Sequence, residues 1–76
     1  MTTLPYRGFT ITVRTYQLRG SNRWTLELLI GRNRSLRAFT GTETFDDEPA
    51  AIAGCLRHGR LIIDGQLRDC TVADLW

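Results

Sequence analysis

The chain has 76 residues, 42% of them hydrophobic, and a formal net charge of +2. This length supports one hydrophobic core and is too short to be divided, so we predict a single domain over residues 1–76. No run of residues approaches the roughly 20 apolar positions of a membrane span, and the N-terminus has no secretion-signal pattern, which favours a cytoplasmic location and no membrane partner.

The first half of the chain has the alternating pattern of β-strands. Residues 6–16 predict the first strand, residues 24–30 the second, and residues 36–40 a third and shortest strand. Glycine-containing turn signals at residues 20–22 and 31–33 separate them. Because connections this short do not cross over between parallel strands, we predict an antiparallel meander in the order 1-2-3.

The residues after Gly41 predict one helix. Acidic side chains at residues 46–48 precede Pro49, which is tolerated only in a first helical turn. Gly65 is placed to end the helix in a left-handed cap. The predicted apolar stripe of the helix consists of Ile52, Cys55, Leu56, Gly59, Ile62 and Ile63. We expect Gly54 and Gly59, beside this stripe, to let the helix approach the sheet closely.

The predicted fold is a two-layer α+β domain in which one helix covers a three-stranded antiparallel meander. Residues 71–74 have capping-box spacing and predict a short C-terminal helical turn that packs Leu75 or Trp76 against the domain. The helix covers one face of the sheet, so we expect function to lie on the other face.

Charge divides along the chain. Residues 1–41 carry seven arginines and one acid, whereas residues 42–76 carry three arginines and seven acids. We therefore expect a basic sheet and an acidic helix, a division that bears on partner choice. All ten basic residues are arginine, which is consistent either with phosphate or carboxylate recognition or with codon bias in a high-GC genome.

The candidate binding residues lie on the predicted open face. Alternation directs Arg14, Arg23 and Leu29 away from the helix, while Phe39 competes with Leu36 and Ala38 for the core side. Because Arg37 shares a face with Phe39, an outward Phe39 creates an aromatic and arginine platform for nucleic acid. An inward Phe39 leaves the open face merely polar.

The sequence carries no pattern typical of catalysis or metal binding. Cys55 and His58 are three positions apart, with Cys70 as a distant third candidate, but structural zinc has four ligands. We expect a packed Cys55 thiol and an exposed imidazole. Acids at residues 43–48 are explained by the helix start. We therefore expect no enzyme activity, no cofactor and no metal.

Four segments resemble small proteobacterial domains of unknown function. They are Tyr6-Arg7-Gly8-Phe9, Arg23-Trp24-Thr25, residues 45–52 and residues 59–65. The resemblance implies the β-β-β-α plan and a bacterial cytoplasmic source, and it implies no active site.

A second resemblance is to HicB-type antitoxin domains. It is carried by residues 41–44, Gly-Thr-Glu-Thr, followed by the helix opening with acids and alanines through Ile52. This resemblance implies a protein partner and DNA. The chain departs from that family because it shows no Pro-rich loop after the second strand and no appended DNA-binding segment.

The sequence therefore predicts a non-catalytic protein-interaction module that associates with itself as a homodimer or small homo-oligomer, or with an unknown protein partner. The alternative is a nucleic-acid-binding domain that uses a basic open sheet face. The candidate residues for either partner are Arg14, Arg23, Arg37, Phe39 and Leu29.

Overall fold

Four strands and one helix are formed by residues 2–66, the part of the chain that the computed structural model describes. The elements are β1 (Thr3–Tyr6), β2 (Phe9–Val13), β3 (Trp24–Arg32), β4 (Ser35–Phe45) and α1 (Glu48–Ile63). The sheet is antiparallel with the strand order β1-β2-β3-β4. An α+β domain with an antiparallel sheet is confirmed, but the predicted number of three strands is wrong. The predicted helical turn at residues 71–74, Cys70 and Trp76 lie outside the described residues.

The additional strand arises from a tight turn inside the segment predicted as one strand. Arg7 and Gly8 have φ angles of 51° and 84°, both in the left-handed region. Two consecutive residues of this kind form the two-residue hairpin turn whose twist suits antiparallel strands. Tyr6 pairs with Phe9 across it. Residues 3–6 therefore form a separate edge strand, and β2 ends at Val13 rather than at Tyr16.

The last strand is the longest of the four, whereas the sequence predicted the shortest. Its register jumps from the pair Leu26–Gly41 to the pair Thr25–Thr44, which leaves Thr42 and Glu43 as extra residues in β4. An irregularity of this kind bends a strand without ending its pairing. β4 therefore continues to Phe45, immediately before the helix start.

The helix begins and ends where the sequence predicts. The Asp47 carboxylate accepts a hydrogen bond of 2.8 Å from the backbone N–H of Ala50, and Pro49 occupies the first turn. At the other end Gly65 has a φ of 75°, and its N–H donates to the Ile62 carbonyl while the Gln66 N–H donates to the Leu61 carbonyl. This pair of bonds is a Schellman cap, which satisfies the last carbonyl groups of the helix.

One face of the sheet, the covered face, packs against α1. Its buried side chains are Phe9, Ile11, Val13, Leu26, Leu28, Ile30 and Phe39. The helix contributes Ala51, Cys55, Gly59, Ile62 and Ile63. A Cβ on Gly59 would lie 2.9 Å from Cγ2 of Ile11, and one on Gly54 would lie 2.4 Å from Cζ of Phe45. The predicted close approach at both glycines is confirmed.

Candidate interaction surface

The opposite face of the sheet, the open face, has no helix against it within the described residues. Paired residues on neighbouring antiparallel strands point to the same side, so the register defines this face. One row contains Thr3, Thr12, Leu29 and Ala38, the next contains Pro5, Thr10, Gly31 and Leu36, and a third contains Glu27 and Thr40. The open face thus runs across all four strands.

Most of the open face is uncharged. Its two central rows consist of threonine, proline, glycine, alanine and leucine, and Leu36 at 70% is the most exposed large hydrophobic side chain of the described residues. Ala38, Thr10 and Thr40 are exposed as well. Charge enters only at the third row, where Glu27 lies beside Arg14, whose N–H donates to the Glu27 carbonyl at 2.9 Å. An uncharged centre with a polar margin is the anatomy of a protein-contact surface.

The structure places two of the five candidate residues on the covered side of the sheet. Phe39 pairs with Leu28 and is 8% exposed, and Arg37 pairs with Ile30, another core residue. Phe39 therefore lies inward, and the described residues form no aromatic platform on the open face. Nucleic-acid binding stays a prediction, and it would need another surface.

The other three candidate residues lie in different places on the molecule. Leu29 is at the centre of the open face, and Arg14 is at its margin. Arg23 forms an ion pair with Asp46 and donates from Nη2 to the Thr44 carbonyl at 3.0 Å, so it joins the start of β3 to the end of β4. The three candidate arginines do not form one cluster. Arg23 instead stabilises the segment that leads into the helix.

Charge separates between the two ends of the strands rather than between the two faces of the sheet. The turns at Arg7-Gly8 and Asn33-Arg34 lie at the same end because alternate turns of a meander do so. This hairpin end carries Arg7, Arg32 and Arg34, with Asp64 of the helix end beside Arg7. The opposite end mixes Arg14, Arg19 and Arg23 with Glu43, Asp46, Asp47 and Glu48. The sequence predicts a basic sheet surface, but the excess of arginine is found at the hairpin end of the strands.

Asp64 connects β1 to the end of the helix. The Tyr6 hydroxyl donates to Oδ2 of Asp64 at 2.8 Å, and Nε of Arg7 lies 3.3 Å from Oδ1. The hydrogen bond to Asp64 raises the pKa of the Tyr6 phenol above its ordinary value, with a smaller contribution from burial. This contact ties the edge strand β1 to the end of α1.

The thiol of Cys55 has the environment of a core residue. It is 0% exposed and its Sγ lies 3.6 Å from the carbonyl of Glu27. Burial raises the pKa of this thiol, which keeps it protonated and unreactive. His58, on the same helix, is half-buried. Within residues 2–66, no three His, Cys, Asp or Glu side chains gather into a group that could hold a metal ion.

The sequence pointed to Leu29 but missed the residues that share its face. The alternation in β4 does not decide whether Phe39 or its neighbours Ala38 and Leu36 face the core. The register assigns both neighbours to the open face. The threonines of β2 carried the correct signal, since Thr10 and Thr12 alternate with three core residues. Threonine is polar, but it also offers a methyl group to a partner.

No helix within the described residues has the length and hydropathy needed to cross a membrane. Compared with known proteins, the chain matches no family model, and neither a curated protein nor a solved structure matches it.

Proposed function

We propose that this protein is a non-catalytic interaction module that associates with a second copy of itself through the open face. The observation that carries the proposal is the composition of the two central rows, in which exposed Leu36 and Ala38 lie among threonines and no side chain is charged. Burying such a surface costs no charge desolvation, whereas burying the basic end would.

A second copy is the occupant that fits this surface. The open face is uncharged over its centre, so its partner needs a neutral, slightly apolar surface of similar shape, and the same face of another copy provides one. Two sheets packed face to face lie about 10 Å apart, with side chains from both inner faces interdigitating. The third row also favours a two-fold arrangement, because Arg14 and Glu27 carry opposite charges that a second copy can complement.

Size supports self-association as well. The covered face and α1 enclose eleven buried hydrophobic residues, and one face of a four-stranded sheet remains outside that core. A domain of this length has a stability of roughly 4–11 kcal/mol, so association that hides further apolar surface stabilises it appreciably.

The test is the mass of the protein in solution, measured by sedimentation over a wide concentration range. We expect the wild type to reach twice the monomer mass and Ala38→Glu to remain a monomer, because the substitution puts a carboxylate in the central row. Ala53→Glu is the matched control: Ala53 is an exposed alanine on the solvent side of α1. It should associate as the wild type does.

Two results would overturn the proposal. One is a wild type that stays monomeric at every concentration. The other is a dimer that survives Ala38→Glu, which would move the contact to the unpaired edge of β4, where strand pairing between copies leaves the open face exposed. Thermal melts of both glutamate variants show whether each remains folded.

A further inference from the structure

The two outer edges of the sheet differ in how well they are protected. β1 and β4 are the outer strands, so each has a row of backbone N–H and C=O groups that no strand of the described residues pairs with. Such a row pairs readily with a strand of another chain, and proteins usually block it with a short strand, a proline or a lysine. The protection of each edge therefore shows whether it can accept another strand.

The edge of β1 is blocked. The strand has four residues, and the Val13 N–H donates to the Thr2 carbonyl at 2.8 Å, so alternate residues starting at Thr2 bond to β2. The residues between them, Thr3 and Pro5, direct their backbone to the outside. Proline has no N–H to donate, which removes a hydrogen bond from any strand added at this edge. β1 therefore does not extend the sheet.

The edge of β4 is unprotected. The Glu27 carbonyl accepts a hydrogen bond of 2.9 Å from the Arg14 N–H on the β2 side, so the Glu27 backbone faces away from Thr40, its partner residue in β4. Bonding alternates along an antiparallel pair, which means that Leu36, Ala38 and Thr40 direct their N–H and C=O groups away from β3. All three residues are exposed, and β4 contains neither proline nor lysine.

The unprotected edge, residues 35–41 of β4, has a defined length. Pairing with β3 is regular from Ser35 to Gly41, and the irregularity at Thr42 and Glu43 bends the strand beyond that point. This stretch extends over about 20 Å at the usual rise of a strand. It is therefore long enough for a partner strand of about five or six residues, the common length in proteins.

The unprotected edge has opposite charges at its two ends. Arg34 precedes it and Glu43 follows it, both are exposed, and neither forms an ion pair within residues 2–66. Arg34 has a φ of 85°, at a turn position where glycine is strongly preferred. Strained residues that persist in this way are concentrated at functional sites. An antiparallel strand added here begins beside Glu43 and ends beside Arg34.

We infer that the unprotected edge of β4 binds an extended segment of another protein as a fifth, antiparallel strand. Main-chain hydrogen bonds supply the affinity in this kind of binding, and alternate side chains supply the specificity. The segment carries a basic residue at its N-terminal end and an acid at its C-terminal end, because opposite charges on neighbouring strands attract. Uncharged β-branched residues lie between them, since these favour the extended conformation.

The unprotected edge and the open face are separate surfaces. The backbone groups of β4 project in the plane of the sheet, whereas the copies proposed above pack against its open face. Both contacts are therefore compatible in one molecule. The choice of another protein as the partner rests on the proposed function, which places the second copy on the open face, but the accessibility of the edge does not.

The probe is a peptide with blocked ends and the sequence Arg-Thr-Val-Thr-Val-Thr-Glu, titrated into isotope-labelled wild-type protein. We expect saturable amide NMR shifts and slower amide exchange at Leu36, Ala38 and Thr40, and no change at Thr3. The same peptide with its two end charges exchanged should bind about fivefold more weakly, because both ends then meet a like charge. Equal affinity of the two peptides would show that the edge does not select the stated partner, and would overturn the inference.

The decisive variant is Ala38→Pro. It removes an N–H that β3 does not use, and edge strands accept proline where the N–H faces solvent, so the variant should remain folded. We expect its affinity for the peptide to fall at least about tenfold. Thr3→Pro is the matched control, because it places the same ring at an outward position of β1. It should bind the peptide as the wild type does.

A second variant tests the edge if thermal melts show that Ala38→Pro is unfolded. Arg34→Gly removes the charge at the start of the unprotected edge and places glycine at a left-handed position, so the fold is retained. We expect about threefold weaker binding of the original peptide and almost unchanged binding of the charge-exchanged one. Unchanged binding of the original peptide would contradict the inferred direction of the added strand.

Sedimentation of the wild type with and without the peptide separates this inference from the proposed self-association. We expect the peptide to bind without changing the number of protein copies. A peptide that splits the dimer into monomers would place the second copy at the unprotected edge and overturn the inference, as would the absence of shifts in the wild type or an equal loss in Thr3→Pro. A monomeric wild type that binds the peptide would end the proposed self-association and leave the inference standing.

Discussion

The two faces of the sheet are made from alternate residues of the same strands, yet they have opposite properties. In β3, Leu28 on the covered face is fully buried, whereas the adjacent Leu29 on the open face is half-buried. The buried residues of the covered face are all hydrophobic, while the open face carries four threonines beside the apolar side chains of Leu29, Leu36 and Ala38. Their difference shows that the fold is stabilised from one side of the sheet, which leaves the residues of the other side available to a partner.

The largest expected effect comes from truncating the covered face. Leu28→Ala should lower the free energy of unfolding by about 2–5 kcal/mol, because it removes buried methyl groups and leaves a cavity. Leu29→Ala should cost less than about 1 kcal/mol in the monomer, since its side chain is already in contact with water. Urea denaturation of both variants measures the difference.

Equal losses at Leu28 and Leu29 would show that the open face is buried in the folded monomer. Because Leu28→Ala approaches the whole expected stability, Ile30→Val serves as the milder covered-face variant, with an expected loss of about 0.5–1.5 kcal/mol.

The next effect tests how closely α1 approaches the covered face. Gly59→Ala places a methyl group about 3 Å from side-chain atoms of Ile11 and Leu28. Overpacking costs about 1–3 kcal/mol, whereas the better helix propensity of alanine stabilises the helix by about 1 kcal/mol. We therefore expect a net loss of stability of up to about 2 kcal/mol.

Gly31→Ala is the open-face counterpart of this substitution. Its methyl group meets the far end of the exposed Leu36 side chain, which can move away into solvent. A melting temperature that falls further for Gly31→Ala than for Gly59→Ala would contradict the one-sided core.

A smaller effect is expected where the helix begins. Asp47→Ala removes the side-chain oxygen that caps α1 and should destabilise the protein by about 1 kcal/mol. The neighbouring Asp46→Ala breaks only the exposed ion pair with Arg23, which is worth less than about 0.5 kcal/mol. Chemical denaturation that ranks the two variants in the reverse order would show that Arg23, rather than the cap, fixes the helix against the covered face.

The smallest effect concerns β1, an edge strand of the sheet. Tyr6→Phe removes the hydrogen bond to Asp64 and should lower the unfolding midpoint slightly. The pKa of Tyr6 is raised in the folded state. The bond therefore contributes fully below the ordinary phenol pKa of about 10, and its contribution is lost as the pH rises through the higher folded-state pKa.

The measurement for Tyr6 is the difference in unfolding midpoint between the wild type and Tyr6→Phe across the alkaline range. The difference should be constant at neutral pH and shrink above about pH 10. A difference that grows with pH would show that the charged phenolate is the form that the fold prefers.

The helix was predictable from the sequence because each of its signals is local. Asp47 and Pro49 are adjacent to the first turn, and Gly65 directly follows the last one. Spacing along a helix also fixes which side chains share a face, so the buried positions followed from the chain itself. The structure differs from the predicted stripe at three positions. Ala51 is fully buried although the stripe began at Ile52, and Ile52 and Leu56 are only half-buried.

The sheet was less predictable because its register depends on partners distant in the chain. The turn at Arg7-Gly8 interrupts an alternating segment with only two residues, and an arginine in its first position hides the usual signal. The length of β4 depends on an irregularity opposite Thr25 that no local pattern reveals. The side on which Phe39 lies was undecided for the same reason, and its pairing with Leu28 decides it. The open face could therefore be anticipated, but its residues could not be listed.

The order of the strands also bears on how quickly the chain folds. Every strand pairs with its neighbour in the chain, so each hairpin closes a short loop at a small entropy cost. The hydrogen bond between Tyr6 and Asp64 joins residues 58 positions apart and can form only after the helix has docked. Contacts made after the transition state change the rate of unfolding and leave the rate of folding almost unchanged. Loss of this one bond should therefore shorten the lifetime of the native state without slowing its formation.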